Sequence, residues 1–68
     1  MDLKLTKPFY VLSKKYYAGG EVTIEFVVLD NDKEISANLI ITFKDRATAD
    51  LFELRKEYDI SFEQRKEN

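Results

Sequence analysis

The chain has 68 residues, a formal net charge of −2, and neither cysteine nor histidine. Disulfide bonds, thiolate zinc sites and imidazole metal ligands are therefore excluded, as is the usual general base at neutral pH. A chain of this length forms at most a single small domain, residues 1–68, of marginal stability. Small domains often gain stability from self-association or from a partner.

The apolar segments are short, because no uninterrupted apolar run exceeds four residues. A membrane-spanning helix needs about 20 apolar residues, and a secretory signal needs an apolar core of about 7–15. The absence of cysteine fits a reducing compartment. We therefore expect a cytoplasmic protein without a membrane partner.

Charge is distributed unevenly along the chain. Residues 1–20 carry four lysines against one aspartate, whereas residues 21–43 carry five acids against one lysine. The whole chain is nevertheless close to neutral, which argues against a protein that binds duplex nucleic acid through its phosphates.

A first strand is predicted over residues 8–17, which are rich in aromatic and branched side chains. Leu3 and Leu5 could extend it across a kink, and Pro8 is typical of a sheet edge or a strand start. Both alternating sets of side chains are mixed, so its inward face stays open. Gly19 and Gly20 supply the following turn.

A β-hairpin is the clearest element, with strands over 21–29 and 34–43 and an Asp- and Asn-rich turn between them. If Asn31 and Asp32 form the tip, paired residue numbers sum to 63. In that register Val22 opposes Ile41, and every residue on the same face of the hairpin is apolar. A slip of one residue would mix the two faces, so the pattern specifies its own pairing.

Both hairpin strands stop alternating at their middles, with apolar runs at 27–29 and 39–41. These runs place Val27, Leu29 and Ile40 on the second face of the sheet. Covering three such side chains is worth roughly 1.5–3 kcal/mol each, against a total stability of about 5–15 kcal/mol for a domain. We therefore predict a second covered surface formed by these three residues.

A helix of about four turns is predicted over residues 44–59, with Asp45 as its N-cap. Its apolar stripe has helical spacing and consists of Ala47, Leu51, Leu54 and Tyr58, with Phe52 beside it. We expect it to cover the apolar hairpin face. Residues 60–63 allow a short fourth strand or a helical turn, with the strand favoured, and we expect the charged tail, residues 63–68, to be frayed.

These elements predict an α+β fold, a three-stranded antiparallel meander followed by one helix on one face. Catalytic residues, cofactors and metals are not expected. The acidic turn 30–34 lacks the glycine and the bidentate glutamate of a calcium loop, and neither serine has a histidine to activate it.

Lys14, Lys15, Tyr16 and Tyr17 interleave bases with aromatic rings, a pattern found in proteins that bind single-stranded nucleic acid. An alternative function is therefore binding of single-stranded nucleic acid or a nucleotide at these four residues. The plainer interpretation is a strand end whose lysines keep an edge solvated.

The sequence favours a small non-catalytic protein-interaction module, a homo-oligomer or the binder of another protein. The predicted homodimer uses the second sheet face or the exposed edge of the first strand. A small inhibitor that docks on a larger host enzyme is a further alternative, which the residues do not separate from the first.

Overall fold

The computed structural model describes residues 3–65, which form one antiparallel sheet and one short helix. The elements are β1 (Lys4–Tyr16), β2 (Val22–Leu29), β3 (Ile35–Phe43), α1 (Arg46–Ala49) and β4 (Glu57–Glu63). The strands lie in the order β3-β2-β1-β4. The predicted meander and fourth strand are confirmed, whereas the helix is far too short to form a second layer.

The hairpin of β2 and β3 has the predicted faces but a different register. Val22 opposes Phe43 and Ile24 opposes Ile41, so paired numbers sum to 65 and not to 63. A shift of two residues returns residues 37–43 to the predicted faces, because side chains alternate with a period of two, whereas Ile35, predicted on the apolar face, opposes Leu29 on the reverse face. The apolar face is therefore confirmed and the pairing is wrong by two.

Two separate insertions cause that shift. At the turn, Asp30 accepts hydrogen bonds from the amides of Asp32 and Glu34 through Oδ1, and Lys33 takes a left-handed φ of 61°. The Asp30 amide donates to the Glu34 carbonyl, so the loop between these two residues has three residues, 31–33, and Leu29 opposes Ile35. Ser36 is then an extra residue in β3, since Val28 opposes Ala37, and its hydroxyl donates to the Val28 carbonyl.

Strand β1 contains a bulge that explains its ambiguous pattern. Val11 opposes Phe26 and Ser13 opposes Glu25, so Leu12 is the extra residue. A bulge reverses the alternation of side chains beyond it. Phe9 and Val11 therefore share the apolar face with Lys14, which opposes Ile24.

The predicted exposed edge of the first strand is found only in part, because β1 lies between β2 and β4 in the strand order but residues 13–16 pair with β2 alone. It pairs with β2 on one side and, from Lys4 to Tyr10, with β4 on the other. Pro8 lies in the part of β1 that pairs with β4, before the pairing with β2 begins at Tyr10. The sheet edges are β3 and β4.

The predicted helix over 44–59 is also wrong beyond its first turn. Asp45 does cap α1, since its carboxylate accepts from the Ala47 amide and the Thr48 hydroxyl. The chain then turns, with Arg55 at a φ of 64°, and enters β4. Leu51 and Leu54, half of the predicted stripe, are exposed.

Strand β4 replaces the last part of the predicted helix because its side chains alternate. Tyr58, Ile60 and Phe62 face the core, and the residues between them are polar. Pairing these seven residues with β1 gives a continuous hydrogen-bonded ladder. Within the tail expected to be frayed, Gln64 donates its amide to the Leu3 carbonyl, and residues 66–68 lie outside the described residues.

Candidate functional site

The apolar face of the sheet is covered at one end by α1 and the turns that follow it. Ala49 is fully buried there, and Phe52 reaches over the sheet. The Phe52 ring lies 5.3 Å from that of Phe26, 5.7 Å from that of Phe43 and 5.1 Å from that of Tyr58. This aromatic cluster fixes the short segment 50–56 against the sheet.

The other end of the same face is open. It forms a groove of about 460 Å³. One wall consists of the start of β1 and the end of β4, and the other wall consists of the turn end of the β2–β3 hairpin. We call this the apolar groove, and its lining residues are Leu5, Lys7, Phe9, Val28, Ser36, Ala37, Asn38, Leu39 and Phe62. Six of the nine are apolar, and the four-turn helix expected to cover this face is not there.

Lys7 is the one charged side chain that lines the apolar groove in the described part of the chain. A lysine can lay its aliphatic stem on apolar surface and keep its ammonium at the rim. The acidic turn that carries Asp30, Asp32 and Glu34 does not line the groove, but it begins two residues after Val28 and ends two residues before Ser36. One rim of the groove therefore carries a lysine, and an acidic turn connects the two strands of the other rim.

The molecule exposes more surface than a chain of its mass usually does. Its accessible area is 5760 Å², whereas a folded monomer of 8.0 kDa exposes about 4,500 Å². Its radius of gyration is 13.8 Å, against about 11 Å for a compact domain of this length. The shortest extent is only 15 Å, as expected for a sheet without a second full layer.

The reverse face carries the three residues of the predicted second surface, but it does not unite them. Val27 is fully buried, whereas Leu29 is 42% and Ile40 is 59% exposed. Val27 and Leu29 line a smaller hollow of about 290 Å³ with Tyr10. Ile40 lies apart from it on the edge strand, opposite Glu25.

Most side chains on the reverse face are polar, and some of their hydroxyl groups form hydrogen bonds with each other across neighbouring strands. The hydroxyl groups of Thr23 and Thr42 are 2.8 Å apart, as are those of Thr6 and Ser61. Such pairs stabilise a sheet surface that stays in water. The apolar groove is therefore a larger uncovered apolar surface than the hollow on the reverse face.

The lysine and tyrosine stretch is divided between the two faces. Lys14 and Tyr16 oppose Ile24 and Val22 on the apolar face, whereas Lys15 opposes Thr23 on the reverse. Lys14 Nζ donates to the Phe52 carbonyl at 2.7 Å.

The rings of these tyrosines already have cationic neighbours. The Arg46 guanidinium lies 5.0 Å and Lys14 Nζ 5.8 Å from the centre of the Tyr16 ring. Lys15 Nζ lies 5.4 Å from the centre of the Tyr17 ring. The four predicted nucleic-acid residues therefore do not form one continuous platform.

Within residues 3–65, no three histidine, cysteine or acidic residues lie close enough together to hold a metal ion. No helix among these residues is long and apolar enough to cross a membrane. No protein-family model matches the sequence, and comparisons with curated proteins and with solved structures find no match.

Sequence reasoning missed the apolar groove because it placed a helix there. The signal that could have found it is the alternation of residues 57–63, which puts Phe62 on the same face as Leu5 and Phe9. A fourth strand in that position leaves only a short segment to cover the apolar face.

Proposed function

We propose that the chain is a small non-catalytic protein-interaction module that self-associates through the apolar groove. The occupant of the groove is the same surface of a second copy. The observation that carries this proposal is the open half of the apolar sheet face, where Leu5 is 42% exposed and Phe62 is only partly buried. A sheet face of this kind is normally packed against a second layer.

The excess surface is of the size that a dimer requires. The chain exposes about 1,300 Å² more than a compact monomer of its mass, and a standard interface buries about 800 Å² per partner. Stacking two copies through the groove would supply the missing layer to both sheets at once. Two sheets packed in this way lie about 10 Å apart.

Charge at the two rims favours a second copy over an unrelated partner. A two-fold axis that runs parallel to the groove, midway between the two stacked sheets, sets each rim over the opposite rim of the partner. Lys7 of one copy then faces the acidic turn 30–34 of the other, and the same contact repeats by symmetry. Complementary rims of this kind fix the orientation of an interface.

Two leucines of β1 provide a matched test of the groove. Leu5 lines the groove and is 42% exposed, while Leu12 lies outside it and is 43% exposed. We expect Leu5→Glu to weaken self-association at least tenfold, about 1.4 kcal/mol, because a carboxylate would be buried in the contact. Leu12→Glu should leave it unchanged, as measured by sedimentation equilibrium.

Three results would overturn the proposal. An unmodified chain that stays at 8.0 kDa at all concentrations would exclude self-association and leave docking on a larger partner. Equal effects of Leu5→Glu and Leu12→Glu would remove the groove as the contact. Loss of association in Leu29→Glu alone would move the contact to the reverse face.

A further inference from the structure

Strand β3 is an unprotected edge of the sheet. Its nine residues, Ile35–Phe43, contain no charged side chain and no proline. Natural edge strands are usually blocked by charges, proline, bulges or a covering segment, because their free amides and carbonyls can pair with another chain. The extra residue Ser36 disturbs only the start of β3, and residues 37–43 pair regularly with β2.

The opposite edge is protected in the usual manner. Strand β4 carries Glu57, Asp59 and Glu63 among its seven residues. If β4 paired with itself about its central residue, Glu57 of one copy would face Glu63 of the other, twice. Like charges directly opposite each other destabilise a sheet. The contrast points to β3 as the edge that is available for pairing.

We propose that β3 pairs antiparallel with β3 of a second copy, joining two four-stranded sheets into one of eight strands. This contact uses the sheet edge and does not depend on the apolar groove. The two-fold axis passes through Leu39, the central residue of β3. Backbone hydrogen bonds between the two edges supply the affinity, as in other cases of strand addition.

The side chains of β3 fit this self-pairing. With Leu39 on the axis, Ala37 faces Ile41 of the second copy, and both lie on the apolar face. Asn38 faces Ile40 of the second copy on the reverse face. The two faces therefore stay continuous across the junction, and no like charges meet.

Cysteine pairs on the reverse face test this register, because the chain has no cysteine of its own. Residues directly opposite in antiparallel strands have Cα atoms about 4.5–5.5 Å apart, within the range for a disulfide. We expect a mixture of the Asn38→Cys and Ile40→Cys chains to form a disulfide-linked heterodimer on mild oxidation. One chain carries a mass tag so that the heterodimer is resolved on a non-reducing gel.

The controls use positions that the same register keeps apart. Asn38→Cys alone, and Asn38→Cys mixed with Thr42→Cys, place the thiols diagonally, about 7–8 Å apart or further, and should cross-link several-fold less. All three positions are exposed, so circular dichroism should show an unchanged sheet. Asn38 also borders the apolar groove, so each mixture is repeated with Leu5→Glu in both chains to separate the edge contact from stacking through the groove.

The outcomes separate this contact from the proposed groove contact. Preferential linking of 38 to 40, retained when both chains also carry Leu5→Glu, supports the edge contact. Equal linking in all mixtures, or linking in none of them, overturns it, whatever the sedimentation result for the groove. Linking that disappears with Leu5→Glu also overturns it, because the edge contact would then not be independent.

Discussion

The Phe52 ring stands edge-on to the Phe26 ring, at 85° with 5.3 Å between ring centres. Phe26 is fully buried in a central strand, and Phe52 belongs to the turns after α1. Edge-to-face pairs of this kind add about 0.5–1.5 kcal/mol to the burial of the rings. This contact holds the only covering segment in the described residues onto the sheet.

Replacing Phe52 by alanine should lower the free energy of unfolding by about 3 kcal/mol, since it opens the aromatic cluster. Leu51→Ala is the matched control, because Leu51 is adjacent in sequence and 71% exposed, and its loss should cost less than about 0.5 kcal/mol. Urea denaturation followed by tyrosine fluorescence measures both. Equal losses would favour the long helix predicted from sequence, in which Leu51 belongs to the buried stripe.

The faces of the hairpin could be predicted from sequence, but its register could not. Alternation of apolar and polar residues survives an even number of inserted residues, so Val22 and Ile24 reach the predicted face. The loop residue Lys33 and the extra residue Ser36 each add one position. Neither insertion changes the face of residues 37–43, and only Ile35, which lies between them, moves to the reverse face.

The left-handed φ of Lys33 gives a prediction for the turn. A residue with a Cβ atom loses about 1–2 kcal/mol in this conformation, and glycine does not. Lys33→Gly should therefore raise the free energy of unfolding by about 1 kcal/mol. Lys33→Ala removes the same charge but keeps the Cβ atom, so it should change stability little. A gain in the alanine variant would show that charge, and not backbone strain, is responsible.

The inward face of β1 could not be predicted, for a reason that Leu12 makes clear. One extra residue in the middle of a strand moves the apolar set from odd to even positions, and both sets then look mixed. The helix prediction failed for a related reason, because Leu51, Leu54 and Tyr58 have helical spacing while Tyr58, Ile60 and Phe62 have strand spacing. Tyr58 fits both spacings, and it lies in a strand because residues 57–63 pair with β1.

The division of Lys14 to Tyr17 between two faces gives a third prediction. Single-strand binders align their bases on one surface, and here neighbouring residues point to opposite sides of β1. We expect mixed-sequence oligonucleotides at low salt to leave tyrosine fluorescence unchanged. Quenching that weakens with salt and is lost in Lys15→Ala would contradict this expectation and support the nucleic-acid function.

We expect the apolar groove of one copy to bind the groove of a second copy. A mixed sample of ¹³C-labelled and unlabelled chains, in an isotope-filtered nuclear Overhauser experiment, tests it most directly because only contacts between copies give signals. We expect signals between labelled Leu39 methyl groups and the Phe62 ring of the unlabelled copy, because the two residues lie on opposite rims of the groove. Filtered spectra with no signal from groove methyl groups, at concentrations where the chain is associated, would contradict it.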